Sequence, residues 1–261
     1  MAGTVLVTTR GSVARVTMNR PEVHNAFDDR LIEELTATFE RLAADKAVRA
    51  VLLGANGRSF SAGADLNWMK RTAGYSEAQN LEDARRLARM LRVLDGMPQP
   101  TVALVQGAAY GGGVGLVACC DIAVAVPEAA FSLSEVRLGL LPAAISPYVV
   151  AAIGARQARR YFLTAERFDA AEARRIGLVH EVAPREELEV AGERLLAALA
   201  GGGPLAQAAS KRLIARVSSG PLDDAMAEDT ARRIAELRAG EEGREGVAAF
   251  LEKRPPTWRE D

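Results

Sequence analysis

Apolar and polar residues alternate over Val5–Val7 and again over Val13–Met18, the period-two pattern of strands buried on one face. Arg10-Gly11-Ser12 between them supplies the turn of a hairpin, and Arg20-Pro21 ends it, because proline has no N–H to give a ladder. The period then changes. Leu31, Leu35, Phe39 and Leu42 recur at helical spacing behind Asp28 or Asp29, either of which can cap the helix. Val48 to Leu53 is a continuous apolar run, read as a buried strand, and Asn56-Gly57 breaks it. Phe60-Ser61-Ala62-Gly63-Ala64-Asp65 is a glycine-marked turn, and a short helix over Leu66 to Met69 follows. Arg71 to Glu77 reads as a mobile loop. A helix from about Ala78 to Leu94 leads to Pro98-Gln99-Pro100 and a strand over Val102–Val105; Ile122–Val126 is a further strand.

The first two-thirds of the chain therefore repeats a strand–strand–helix unit without repeating its sequence. That predicts an α/β fold whose turns stack on one another. From Arg185 onward the pattern is helical, and Pro204, Pro221 and Gly240 divide it into four segments. Leu213, Val217, Met226, Ile234 and Leu237 give these helices apolar positions. Two readings stand equal: a cap over the chain's own core, or a subunit interface.

Composition narrows the function classes. The 261 residues fit one large domain, or one with a small appendage. Lys+Arg 33 against Asp+Glu 34 leaves a net charge of -1, which favours neither nucleic acid nor an anionic membrane. No stretch approaches the ~20 apolar residues of a membrane span. The first residues, Met1 to Thr9, lack the basic start and apolar centre of a signal peptide. Cys119 and Cys120 are adjacent within an apolar run and read as reduced core thiols. His24 and His180 are too far apart to form a metal cluster by themselves. Together these features predict a soluble, cytoplasmic protein with no metal.

The chemistry concentrates between Thr101 and Pro142. An apolar strand delivers the chain to Gly111-Gly112-Gly113, and a helix-like segment begins at once. Free N–H groups at a helix start can hold a negative oxygen, and glycine lets a ligand approach closely. The Ala62-Gly63-Ala64 turn has the same strand-before, helix-after setting, so one N–H from each turn can converge on one carbonyl oxygen. Gly113, Gly115 and Ala118 also satisfy a dinucleotide fingerprint, but six residues separate Val105 from Gly112, and no second nucleotide half is visible. Glu135 lies among Phe131, Leu133, Val136, Leu138, Leu140 and Leu141. A carboxylate desolvated there becomes a useful acid or base. Asp65 begins a helix and suits a cap better than catalysis. Trp68, Met69 and Tyr75 suit either core or an acyl pocket. Lys211 and Arg212 read as a solvated face, and Lys253-Arg254 is weak evidence for a phosphate contact.

These residues in this order resemble the enoyl-CoA hydratase/isomerase (crotonase) superfamily. The likeness spans nearly the whole chain: Asn19-Arg20-Pro21 through Asn25-Ala26, the turn ending in Asp65, Val105 through Gly113, Cys120-Asp121-Ile122, Phe131 through Pro142, Ala173 through Val179, and Gly246 through Arg254. The resemblance implies a spiral of strand–strand–helix turns, with residues 1–200 as the acyl-CoA-binding core and 201–261 as a helical trimerisation region. It implies a homotrimer or homohexamer and an acyl-CoA thioester, with no cofactor beyond the coenzyme A carried by the substrate. Ala64 and Gly112 match the two oxyanion-hole positions, and Glu135 matches one of two catalytic glutamates. Ala62, Asp65, Leu66, Trp68, Gly115, Pro142, Phe250 and Lys253 are the implied substrate and CoA contacts.

One departure bears on mechanism. Hydratases of this superfamily usually carry their other glutamate two residues after the triple glycine, where this chain has Gly115. The segments Val105–Asp121, Leu133–Pro142, Ala158–Tyr161 and Leu163–Asp169 look like those of bacterial 3-methylglutaconyl-CoA hydratases and their relatives acting on terpenoid carboxy-acyl-CoA, which share that glycine. The reading is hydration or dehydration of a branched, carboxylated enoyl-CoA, with Δ3,Δ2-enoyl-CoA isomerisation by one carboxylate, or acyl-CoA binding without catalysis, as the alternatives.

Overall fold

The computed structural model describes residues 3–259, so the outermost residues of the two expected regions, 1–2 and 260–261, lie outside it. Strands β1 (Val5–Arg10) and β2 (Val13–Met18) form the expected hairpin, with Val5 opposite Met18. Along β2, Ala14, Val16 and Met18 are fully buried and alternate with half-buried residues, as period-two burial requires. Every later neighbour in the large sheet is parallel: β3 (Ala50–Ala55), β4 (Thr101–Val105), β6 (Ile122–Ala125) and β9 (Glu181–Val182), in the order β1-β2-β3-β4-β6-β9. All five residues of β4 are buried, the mark of a parallel strand covered on both faces. A second sheet joins β5 (Ala109–Tyr110), β7 (Ala130–Ser132) and β8 (Phe168–Asp169). Isolated bridges Ser61↔Ala109 and Phe27↔Ala64 carry that second layer back through the earlier turns. Each turn of the chain thus leaves one segment in the large sheet and one in the small layer before its helix. The expected α/β spiral is the observed fold.

The helices are α1 (Asp29–Ala44), α2 (Leu66–Thr72), α3 (Glu77–Asp95), α4 (Gly112–Cys119), α5 (Ser146–Thr164), α6 (Ala170–Ile176), α7 (Leu188–Ala200), α8 (Pro204–Ser219), α9 (Asp224–Ala239) and α10 (Glu241–Glu252). Asp28, not Asp29, caps α1 by accepting from the Leu31 N–H. Leu31, Leu35, Phe39 and Leu42 are buried as their spacing predicts. Cys119 and Cys120 are free and buried, and burial raises both thiols, that of Cys120 to about 12, so neither is a ready nucleophile.

Three local expectations change. The third strand begins two residues later than its apolar run, because Val48 still closes the turn after α1 onto the Asp45 carbonyl. The supposed mobile loop is a short turn: α2 runs to Thr72, and a capping box between Ser76 and Gln79 starts α3 at Glu77. Lys211 is not a solvated lysine. Its Nζ donates to Asp121 at 2.7 Å and to the Gln99 carbonyl at 3.1 Å, tying α8 to the segments that enter β4 and β6.

The four expected C-terminal segments are α7 to α10. The α8 N-terminus has no cap of its own; Glu242 of α10 accepts from the Leu205 and Ala206 N–H groups instead. Arg49 donates to the Gly202 and Trp258 carbonyls, so the last residues fold back against the core. Leu205, Ile214, Phe250 and Leu251 remain exposed on these helices, as does Leu222 in the turn between α8 and α9. Among the described residues, no helix is long and apolar enough to cross a membrane, and no cluster of metal-ligating side chains occurs.

Candidate active site

Phe27 positions the first glycine turn. Its N–H donates to the Gly63 carbonyl at 2.7 Å, and its carbonyl accepts from the Asp65 N–H at 2.8 Å. In a parallel bridge the partner binds the groups on either side of a residue, so Ala64 turns its own N–H away from Phe27. Asp65 is buried and accepts from the N–H groups of Asn67 at 2.8 Å and Trp68 at 3.3 Å, which caps α2. Burial alone raises this carboxyl, but those two backbone donors and the Arg20 guanidinium outweigh it and hold Asp65 below the usual range. Asp65 is therefore an ionised cap, as its place in the sequence suggests.

The second turn starts at Gly111, with φ 50 and ψ -115, a backbone conformation that side chains disfavour. Its N–H donates to the Ser132 carbonyl at 2.9 Å. Gly112 is the first residue of α4, where an N–H has no carbonyl one turn earlier in the helix. Among the described residues, neither the Ala64 nor the Gly112 N–H donates a hydrogen bond. The two turns abut. A Cβ on Gly63, where φ is 87, would stand 3.2 Å from the Tyr110 carbonyl oxygen and 4.0 Å from the Gly111 nitrogen.

Glu135 opens a single 3-10 turn, Glu135–Leu138, directly after the buried end of β7 and Leu133. Its Oε1 stands 3.1 Å from the point a Cβ on Gly111 would occupy. Its Oε2 is buried without a hydrogen-bond partner. Burial pushes this carboxyl above the usual range. The structure thus brings a carboxyl ready to exchange a proton against two backbone turns with unengaged donors. Such a constellation stabilises an enolate while moving a proton beside it.

The remaining residues singled out in the sequence divide. Ala62 is half-buried, and its N–H donates to the His24 carbonyl, so it serves the turn. Leu66 is 73% exposed beside Ala64. Trp68, Met69 and Tyr75 are half-buried, and the Trp68 indole donates to Asp83. Pro142 is buried just beyond the Glu135 turn. Phe250 and Lys253 stand at the far, exposed end of α10, which packs on α8 and α9. Gly115 opens no space toward a ligand: a Cβ there would meet Ile145 Cγ2 at 2.3 Å and Leu91 at 3.4 Å. A side chain at position 115 would therefore require Ile145 to move.

Sequence reasoning missed Ile145 and the supports of the first turn. Asn25, at φ 53, donates to the Asn56 and Ser59 carbonyls and accepts from the Arg20 N–H. The Ser61 hydroxyl donates to the Asn25 carbonyl. The Asn19-Arg20-Pro21 and Asn25-Ala26 motifs were the available signal, but nothing in their spacing says what they hold.

The chain matches the enoyl-CoA hydratase/isomerase family over residues 8–261. It is 32% identical to the 2,3-dehydroadipyl-CoA hydratase of Escherichia coli (strain K12), covering 98% of both chains. An enoyl-CoA hydratase structure from Shewanella pealeana superposes with a TM-score of 0.96 at 46% identity, over 98% of this chain and 96% of that one. Pseudomonas aeruginosa AtuE superposes with a TM-score of 0.94 at 40% identity, over 98% and 100%. With the spiral, the paired glycine turns and Glu135 in place, the chain belongs to the enoyl-CoA hydratase/isomerase family.

Proposed function

We propose that this protein catalyses the reversible hydration of a branched, carboxylated enoyl-CoA of the 3-methylglutaconyl-CoA type, giving a 3-hydroxy-3-methylglutaryl-CoA, with Glu135 as its single acid/base. The observation carrying this reading is the Glu135 carboxyl lying over Gly111, with Ile145 filling the position beside Gly115. Asp65 is committed to its cap and to Arg20, so it offers no free base. The thioester oxygen is received by the N–H groups of Ala64 and Gly112. Glu135 takes a proton from water as the water oxygen bonds to C3. The C2–C3 π electrons pass into the thioester as an enolate held in the oxyanion hole. Glu135 then returns its proton to C2, so both water components arrive on one face. Dehydration reverses each step with the same groups. The E. coli relative supports a carboxylated substrate, since its name specifies an acyl group with a second carboxylate.

A second reading, Δ3,Δ2-enoyl-CoA isomerisation, rests on the same lone carboxylate and needs no water. Assays of the purified protein on 3-methylglutaconyl-CoA, crotonyl-CoA and a 3-enoyl-CoA separate the two. Preference for the first supports the hydratase reading, preference for the third replaces it, and turnover of none points to binding without catalysis.

Gly115 offers a sharper test. Gly115→Glu alone is expected to lose about 1–3 kcal/mol of stability by overpacking Ile145. Gly115→Glu with Ile145→Ala makes room for a carboxylate where hydratases of the family carry their second glutamate, and a carboxylate brought near Glu135 would couple their titrations. That double variant is expected to gain kcat/KM on crotonyl-CoA and lose it on 3-methylglutaconyl-CoA. Undiminished kcat/KM on the carboxylated substrate would count against the substrate assignment.

The exposed apolar residues of α8 to α10 support assembly as a homotrimer or a dimer of trimers, in which Phe250 and Lys253 reach a neighbour's CoA. Light scattering at micromolar concentration is expected to give one of these masses. A fully active monomer would contradict it.

A further inference from the structure

We infer that Phe27 and Arg20 form a strap that sets the separation of the two oxyanion donors; both are positioning residues. The inference rests on the oxyanion reading above. Phe27 touches both halves of the hole. Its backbone binds the Gly63 carbonyl and the Asp65 N–H, the two groups flanking Ala64. Its ring is buried and lies against Gly112: a Cβ on Gly112 would come within 2.9 Å of Phe27 Cε2. One residue therefore fixes the direction of the Ala64 N–H and, by ring thickness, how near the Gly112 turn can approach.

Arg20 pins this strap on both sides. Its Nη1 donates to the Ala26 carbonyl at 2.6 Å. Its Nη2 lies 2.9 Å from Asp28 Oδ2 and 3.2 Å from Asp65 Oδ2. The residues before and after Phe27 and the cap after Ala64 thus share one guanidinium. The three side chains are shielded, with exposures of 14% for Arg20, 19% for Asp28 and 7% for Asp65. A planar fork spanning three acceptors is a task that lysine cannot fully reproduce. Oxyanion stabilisation depends steeply on donor placement, so a loosened strap affects turnover before it affects binding.

The test is Phe27→Leu, which keeps an apolar side chain but loses the ring, alongside Arg20→Gln and Arg20→Lys. The probe is a cinnamoyl-CoA thioester, whose absorption moves to the red as its carbonyl is polarised. The expected result is a roughly 10- to 100-fold fall in kcat for Phe27→Leu and Arg20→Gln with KM little changed. The red shift shrinks in parallel, and Arg20→Lys recovers part of both. Thermal melts fix the folded fraction, and Arg20→Lys remains informative should Phe27→Leu fail to fold. A full red shift in folded Phe27→Leu or Arg20→Gln protein, with kcat unchanged, overturns the strap. No red shift in the wild-type protein overturns the oxyanion reading itself, a separate failure.

Discussion

Glu135→Gln is expected to lower turnover by at least ~100-fold on every acyl-CoA the protein converts, with affinity for the CoA thioester largely kept. Glutamine preserves size and hydrogen-bonding capacity but cannot accept and return a proton. The same substitution should leave the fold intact or firmer at neutral pH. Burial raises the Glu135 carboxyl, and Oε2 has no partner to offset the lost hydration. A carboxyl raised in the folded state favours folding most below its unfolded value of about 4.3, and that advantage disappears as pH rises through the folded value. At neutral pH the wild type has lost some or all of that advantage, whereas the variant, which does not titrate, is unaffected. Thermal melts should show Tm of Glu135→Gln equal to or above wild type at pH 7, with wild type improving relative to it as pH falls toward 4. Glu135 accepts a proton first in either direction, so kcat/KM should climb with pH through the same raised value and flatten above it. Near-normal turnover of Glu135→Gln on all substrates would remove the residue from the mechanism.

That the Glu135 carboxyl is desolvated was legible in the sequence because part of its setting is local. Of its apolar neighbours Phe131 and Leu133 are buried, whereas Leu138, Leu140 and Leu141 are exposed, so the string marks the buried end of β7 and not everything that covers the carboxyl. Local pattern also reveals the β1–β2 hairpin, α1, and the glycine turns, where strand, turn and helix follow one another directly. What the string does not contain is contact between turns. Gly63 meets the Tyr110 carbonyl, and Phe27 meets Gly112, only because the spiral stacks segments far apart in the chain. Ile145 beside Gly115 belongs to the same class: nothing in the glycine's own segment says that the residue before α5 occupies the place of its missing side chain. Lys211 looked solvated because its partners, Asp121 and the Gln99 carbonyl, lie about a hundred residues earlier. The 71–77 stretch misled for a different reason. Its polarity reads as loop, whereas Ser76 and Gln79 exchange reciprocal bonds that begin a helix. Local pattern was sufficient wherever the controlling interaction was local, and long-range packing decided the rest.

Ala64→Pro should isolate the oxyanion hole more cleanly than any side-chain truncation, because the group at issue is a backbone N–H. The parallel bridge to Phe27 uses the Gly63 carbonyl and the Asp65 N–H, and it leaves the Ala64 N–H out of the ladder. Proline at 64 therefore deletes the proposed oxyanion donor without removing a hydrogen bond of the ladder. Ala64 is exposed, so the added ring is not forced into the core. Gly112→Val probes the other donor less cleanly, since its Cβ would press on the Phe27 ring at 2.9 Å. Losing one such donor costs roughly 3–4 kcal/mol of transition-state stabilisation, or about 10²- to 10³-fold in kcat. KM should change much less, because the donor acts chiefly on charge that develops in the enolate. Tm should stay near wild type, which separates the effect from unfolding. In a complex with a CoA thioester, the carbonyl oxygen should lie within hydrogen-bond reach of both N–H groups in the wild-type protein and of Gly112 alone in the variant. Full turnover by Ala64→Pro, or a thioester oxygen in bulk solvent, would mean that the enolate is stabilised elsewhere on the protein.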